Sequence, residues 1–377
     1  MKYSPFIACT LLFSAQTLVA QETKVFPDIK PVVIQLKDIW AELPPNASLF
    51  RNFVVVDQRP DTARIGIHTR YTTFHHAHDC QLMFRQTAAR EIEAFLNSHF
   101  SRPDAPYTAF IVLRTLWLSD ASYIREDMIR DPDKLYEKTH IRLKAELYAA
   151  RDSQYIPIFR YDTLQITRRT RNKYFEKSSY SSWDEDLAAL IGNLADSASL
   201  TTARKAGQSR TIGLEDIIRF NQSRFDNPIN EGKPLKPGVY TGFDEFRDNA
   251  PSIANFEIKM ENGARLLYIR EAGGSVYYSH KAWGYCDGKN VYVMRDGYLQ
   301  QAWRVGKAWY FYALSDKEVY TIGPDGTPRS SSPLTGKPGP AGTPSAATPD
   351  GSLVGIAKEE LHEHRIYTID MDTGMFY

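Results

Sequence analysis

The sequence predicts an α+β protein: an N-terminal mixed or antiparallel sheet with helices on one face, then a β-rich antiparallel meander or partial barrel. Three observations lead there. Amphipathic helical stripes and strand-like runs are interspersed before residue 200, and after residue 233 short aromatic and β-branched runs alternate with Gly- and Asn-containing turns. The composition also carries an aromatic excess, 22 Tyr, 19 Phe and 6 Trp, which suits pleated structure.

In the first half, the β-branched run from Asn52 to Asp57 ends in Gln58, Arg59, Pro60 and Asp61, a strand followed by a turn. Ala88, Ile92, Phe95, Leu96 and His99 recur at helical spacing and predict a helix over 82–100, with Asp79 as its N-cap. Tyr107 to Leu118 is nearly continuous in apolar residues and reads as a central strand covered on both faces. A short helical insert is expected to follow it. Ile141, Leu143, Ala145, Leu147 and Ala149 alternate with Arg142, Lys144, Glu146 and Tyr148, the pattern of a half-buried strand with a polar outer face. A turn at Arg151, Asp152 and Ser153 leads to a partner strand over 155–167. Ser182 and Glu185 have the spacing of a capping box ahead of an apolar stripe through Trp183, Leu187, Leu190, Ile191 and Leu194.

This half, 24–200, is followed by a linker over 201–232 carrying a short helix at Leu214, Ile217, Ile218 and Phe220. The β-rich unit spans 233–320, with strands expected at 256–260, 264–270, 275–280, 290–295, 298–304 and 308–314 and a helical turn or two from Phe243 to Asn249. Asp287 and Gly288 have the signature of a type I′ hairpin turn. Residues 321–350, rich in Gly, Pro, Ser and Thr, read as a flexible excursion. Over 351–377 the chain regains strand character at 365–370 and is expected to return as an edge strand of the second unit.

Residues 1–20 read as a secretory signal peptide: Lys2 precedes an apolar stretch from Phe6 to Phe13, with Ala20 at the expected cleavage point. Leu18 occupies a position where a small residue is preferred, so a retained anchor is the alternative. No other run is long and apolar enough to span a bilayer, and the expected setting is secreted, periplasmic or at the outer envelope. Lys and Arg total 46 against 45 Asp and Glu, a balance that offers no global field for nucleic acid. Export would permit a Cys80–Cys286 disulfide, and two buried thiols are the competing reading. Cys9 lies inside the apolar stretch, unlike a lipid-attachment cysteine.

Three groups of residues are candidates for binding. His75, His76, His78 and Cys80, with His68 nearby, have ligand chemistry suited to Zn or Cu, against a plain solvated loop. Trp283, Tyr285, Trp303 and Trp309, with Tyr310, would offer a flat platform to a glycan or peptide, against ordinary cross-strand packing. Arg168, Arg169 and Arg171 form a basic run that reads mainly as a solvated strand end. His362 and His364 read as part of a charged surface helix. Signatures of nucleophilic, phosphate-binding or metalloprotease chemistry are absent from the sequence, and no cofactor is expected. Asp57, Glu146, Asp244 and Glu245 are carboxylates whose partners the sequence does not identify.

Two resemblances add to this reading. Val56, Asp57, Gln58 and Arg59 with Ile65 and Gly66, followed by a helix, a strand, a hairpin and a Trp-led helix, resemble the periplasmic domain of YajG-type and ABC-transport auxiliary lipoproteins. The Tyr240 to Phe246 and Asn249 to Ser252 segments, and the Trp283 to Lys289 run WGYCDGK with Tyr292, resemble uncharacterised exported proteins of Bacteroidetes-type bacteria. The first implies envelope assembly or transport support, the second implies export and a β-rich fold without a function, and neither brings catalytic residues. The expected function is therefore a non-enzymatic binding or assembly module of the envelope, with an envelope protein or glycan as partner. A metal- or ligand-binding sensor using His75 to Cys80, or a hydrolase with its site between the two units, are the alternatives.

Overall fold

The structure, a computed structural model, describes residues 30–36, 48–71, 77–122, 134–172, 180–205, 210–261, 264–271, 273–314, 319–322, 328–331 and 364–377. The expected architecture is present. A seven-stranded mixed sheet is built from β1 (Lys30–Ile34), β2 (Phe50–Asp57), β3 (Gly66–Tyr71), β4 (Ala77–Phe84), β5 (Tyr107–Ser122), β6 (Lys134–Arg151) and β7 (Gln154–Asn172). The path runs β1-β4-β3-β5-β6-β7, and β2 pairs in parallel with the first half of β5. Helices α1 (Ala88–Phe100) and α2 (Tyr180–Lys205) cover one face, where Leu96, Trp183 and Leu187 meet the alternate residues Ile141, Leu143, Ala145 and Leu147 of β6.

Two local readings change. The segment from Ala77 to Phe84 is a strand held between β1 and β3, so α1 begins only at Ala88 and Asp79 does not cap it. The N-cap is Thr87, whose side chain accepts the Arg90 N–H at 3.4 Å. The short apolar run Leu82–Phe84 fits either period, and pairing on both edges decides it. Likewise α2 starts at Tyr180, which puts Ser182 inside the helix and removes the capping box. The expected insert after β5 falls at 123–133, outside the described residues. Polar residues of α1 also close the free edge of β2: Asn97 accepts the Phe53 N–H at 2.8 Å and donates to the Phe53 carbonyl at 2.9 Å, and Glu93 accepts the Val55 N–H at 2.9 Å.

The second sheet has six strands in the order β18-β15-β14-β13-β12-β8. Here β8 is Gly238–Tyr240, β12 Gly284–Cys286, β13 Val291–Arg295, β14 Tyr298–Val305, β15 Ala308–Leu314 and β18 His364–Thr368. The returning strand thus takes the edge beside β15, and His364 lies in this strand rather than in a surface helix. A three-stranded sheet of β9 (Phe256–Glu261), β10 (Ala264–Arg270) and β11 (Val276–Tyr278) packs on one face through Leu267, Tyr285 and Leu299. The opposite face is covered by the segments flanking β8, including α4 (Phe243–Arg247), through Phe225, Ile229 and Phe246. The turn at 287–290 has four residues rather than the type I′ pair: Cys286 opposes Val291, and the Asp287 side chain accepts the N–H groups of Lys289 and Asn290 at 2.8 and 2.6 Å. Within the stretch read as a flexible excursion, β16 (Val319–Ile322) and β17 (Pro328–Ser331) pair as a hairpin; residues 332–363 lie outside the described residues.

The segment read as a linker is part of the packing. Helix α3 (Leu214–Ser223) lays Ile217 against Phe110, Val112 and Tyr148, on the face of the first sheet away from α1 and α2. Farther along that face, Ile67 and Trp117 meet Val305, Tyr310 and Ile366 of the second sheet. The two halves therefore share an interface built on the second side of β5, which its apolar run predicts to be covered, and of β6, whose alternation suggests a solvated face.

Candidate functional site

Chemistry-bearing residues concentrate in two places, the junction between the sheets and a groove on the second sheet. The junction begins with a bulge. Along β5, Ala109, Ile111 and Leu113 face the helices, and after Arg114 the phase shifts, so that Leu116 and Leu118 take over that role. Arg114 is the extra residue, and the bulge places its guanidinium on the junction side. Its Nη1 donates to Glu146 Oε1 at 2.7 Å and its Nη2 to Asp372 Oδ2 at 3.0 Å.

Glu146 is only 2% exposed and an ion so placed needs compensation from every side. It receives Arg114, the Arg160 Nε at 3.0 Å, the Tyr148 hydroxyl at 2.8 Å and the Asn221 amide at 3.1 Å. Burial pushes its carboxyl up, but the hydrogen bonds from Asn221 and Tyr148 and the charges of Arg114 and Arg160 outweigh burial and hold it below the ordinary value. Asp372 behaves alike: burial opposes its charge, and Arg224 and Arg114 hold the carboxyl down. Arg224 grips it with two bonds, Nε to Oδ1 at 3.0 Å and Nη2 to Oδ2 at 2.7 Å. Lys144 and Asp370 form a third buried ion pair, and Asp370 also accepts the Thr373 hydroxyl at 2.9 Å. Beside these, the turn after β2 presents Asp61 to the buried Tyr310 hydroxyl, which donates to it at 2.6 Å, while Arg59 holds Asp57 through bonds of 2.8 and 2.7 Å.

The cavity at this junction amounts to about 30 Å³, room for a water molecule or two. Carboxylates kept ionised by arginines have no proton to give, so Glu146 and Asp372 are suited to holding the halves together rather than to acid catalysis. The thiols do not meet either. Cys80 and Cys286 are buried in separate sheets with no disulfide between them, and burial pushes the Cys286 thiol up, away from the reactive thiolate.

The predicted histidine group is only partly visible. His75 and His76 lie outside the described residues, and of His78 only its place in β4 is described. His68, in register with Cys80, is buried at the edge of Trp183, with ring centroids 6.3 Å apart. Among the described residues no three His, Cys, Asp or Glu side chains are grouped to hold a metal.

The four aromatic candidates do not form one platform. Trp283 stacks on Phe246 at 4.4 Å, Tyr285 on Tyr292 at 4.6 Å, and Trp303 packs with Tyr310 and Tyr312. Trp309 meets the edge of Phe246. Trp303 opposes Tyr310 and Arg304 opposes Trp309 across β14 and β15, so the two indoles leave alternate positions of the sheet, yet both border one groove.

Trp309 nevertheless borders the larger opening, a groove of about 330 Å³. Its buried side is Val291, Ala302 and Trp309, and its rim carries Lys233, Lys289 and Arg304 with the amides of Asn290 and Gln301. The rim is organised. Arg304 Nη1 donates to the carbonyls of Ile229 and Asn230 at 3.2 and 3.0 Å, the Trp309 indole donates to the Asn230 side chain at 3.0 Å, and the Gln301 amide donates to Asn290 at 3.3 Å. Lys233 pairs with Glu231 at 2.5 Å. None of the residues bordering the groove is acidic. A hydrophobic pattern search finds Trp309 and misses the rim, since Lys233, Lys289 and Arg304 come from three separate segments.

No family model matches the chain, and no curated protein matches it. Among solved structures, the crystal structure described as protein XCC0632 from Xanthomonas campestris, family model DUF330, matches 48% of this chain and all of its own, with 11% identity and a TM-score of 0.27. A superposition at that score shows neither a shared family nor a shared site.

Proposed function

We propose that the chain is an exported, non-catalytic binding module of the bacterial envelope, in which the first sheet and the second sheet act as one body and the groove beside Trp309 receives the ligand. The observation that carries this reading is the groove itself: about 330 Å³ within the size range of small-ligand sites, with an apolar bottom and a rim of oriented polar groups. The export part rests on the sequence of residues 1–20. Among the described residues no helix is long and apolar enough to cross a membrane.

The test joins location to binding. The full chain, expressed in a bacterial host with its own first 20 residues and a C-terminal tag, should be recovered from the extracytoplasmic fraction with those residues removed. It should also bind purified cell-envelope material, and Lys233→Glu together with Lys289→Glu should reduce that binding. Cytosolic retention of the full-length chain overturns the export reading, and envelope binding indifferent to both charge reversals overturns the groove.

A further inference from the structure

We infer that the groove beside Trp309 is a site for an acidic saccharide, a chain of sugar rings bearing carboxylates. This rests on the binding-module reading and gives it a ligand class.

Three observations select that class. The first is charge. Lys233, Lys289 and Arg304 converge on the rim from three segments of the chain, and among the described residues the one carboxylate in an ion pair with them is Glu231, on Lys233. Lys289 has no ion-pair partner among the described residues, because Asp287 is engaged by backbone N–H groups and by the Asn290 amide. An excess of cations around a concave site favours an anion.

The second is the amide pair. Asn290 and Gln301 sit side by side, joined at 3.3 Å, and each amide group has more donor and acceptor capacity than that bond uses. Such a pair suits hydroxyl groups, which both donate and accept. An anion without hydroxyl groups, such as sulfate, would make no use of the acceptors.

The third is the position in the sheet. The groove lies over β13 and β14, two inner strands of the six-stranded sheet, each already paired on both sides. An extended peptide has no free strand edge to pair with here, which removes the usual main-chain mode of peptide capture. Recognition must pass through side chains, as it does for sugars. The bottom, with Val291, Ala302 and Trp309, is apolar and buried, and the half-buried Trp303 on the same lining gives the apolar face of a ring an indole to rest on.

The experiment is a titration of the full mature chain with oligogalacturonate of four to six units, with a neutral oligosaccharide of the same length, and with inorganic phosphate, each followed calorimetrically at low and physiological salt. The acidic oligomer is expected to bind at least tenfold more tightly than the neutral one. Its affinity should fall as salt is raised, and Lys233→Gln with Lys289→Gln should weaken it at least tenfold. Both lysines are exposed, so the double variant keeps its fold, checked by an unchanged urea midpoint.

Equal binding of the neutral and acidic oligomers overturns the acidic class and leaves the groove reading standing. Displacement of the acidic oligomer by phosphate at equal molar concentration overturns the saccharide assignment. Binding of neither oligomer overturns the inference altogether, while export and envelope association are decided separately by the fractionation above.

Discussion

The junction and the groove are built from the same residue types and treat charge in opposite ways. At the junction Arg114, Arg224 and Lys144 meet Glu146, Asp372 and Asp370, and all six are withdrawn from solvent to a large degree. At the groove, among the described residues, Lys233 alone of Lys233, Lys289 and Arg304 forms an ion pair, with Glu231, and all three keep their contact with water. The difference shows what decides whether a charged cluster is a fastening or a receptor. Where each cation has an internal anion, the attraction is already used; where the count is unbalanced and solvent reaches it, the attraction is left for something else.

The contrast can be broken most forcefully at Glu146. Glu146→Ala leaves Arg114 facing the junction without that carboxylate and deprives the Tyr148 hydroxyl and Asn221 amide of an acceptor, so a loss of about 3–5 kcal/mol is expected in urea unfolding. A loss below 1 kcal/mol would show that the junction is no fastening.

The apolar share of the interface is tested at Gly66, whose α-carbon lies so close to β5 that an added Cβ would stand 2.0 Å from the Leu118 carbonyl oxygen. Gly66→Ala should push β3, and with it Ile67, away from Trp117, costing about 2–4 kcal/mol and lowering the thermal midpoint. If Glu146→Ala proves the milder of the two, the apolar contacts and not the ions dominate the joint.

Acid provides a gentler probe. The Glu146 and Asp372 carboxyls are held below their ordinary values of 4.5 and 3.8, so the folded chain binds fewer protons there than the unfolded one. The stability they contribute is complete above those values and is lost as pH falls through the depressed native ones. Urea midpoints should therefore decline as pH drops below about 4.5, and the decline should be shallower in an Asp372→Asn variant. The smallest effect belongs to the groove: Lys289→Gln should leave the unfolding free energy from urea titration within about 0.5 kcal/mol of the parent, as expected for an exposed side chain with no ion pair among the described residues.

Period and turn chemistry made much of the fold legible. Strands β10 and β15 begin and end where their patterning predicts, and the edge position of the returning strand follows from its composition and the turn beyond it. What was hidden is the second face of β6. Lys144, Glu146 and Tyr148 alternate with apolar neighbours in the manner of a solvated face, and no local signal distinguishes a face covered by water from one covered by another sheet's ions. Arg114 held the clue: a lone cation inside the apolar run from Tyr107 to Leu118 needs a buried partner. Its partner Asp372 lies 258 residues on, which no windowed pattern connects. The aromatic group was legible in part: Trp283 and Trp303 pack against the cluster that contains Trp309, and Trp303 and Trp309 border the groove together, while Tyr285 packs on the other face, and the rim cations that define the groove were never conspicuous.

Asp370 lies 226 residues beyond Lys144 and Asp372 lies 258 beyond Arg114, so the ribosome delivers the cations well before their anions. At bacterial rates of elongation that interval is about 10–50 s, long compared with the time a helix or hairpin takes to form. Throughout that delay β5 and β6 carry positive charge on a surface that the finished molecule conceals. Synthesis order thus leaves Arg114 and Lys144 without Asp372 and Asp370 until the DMD sequence arrives, in a first half that is otherwise nearly balanced in acidic and basic residues.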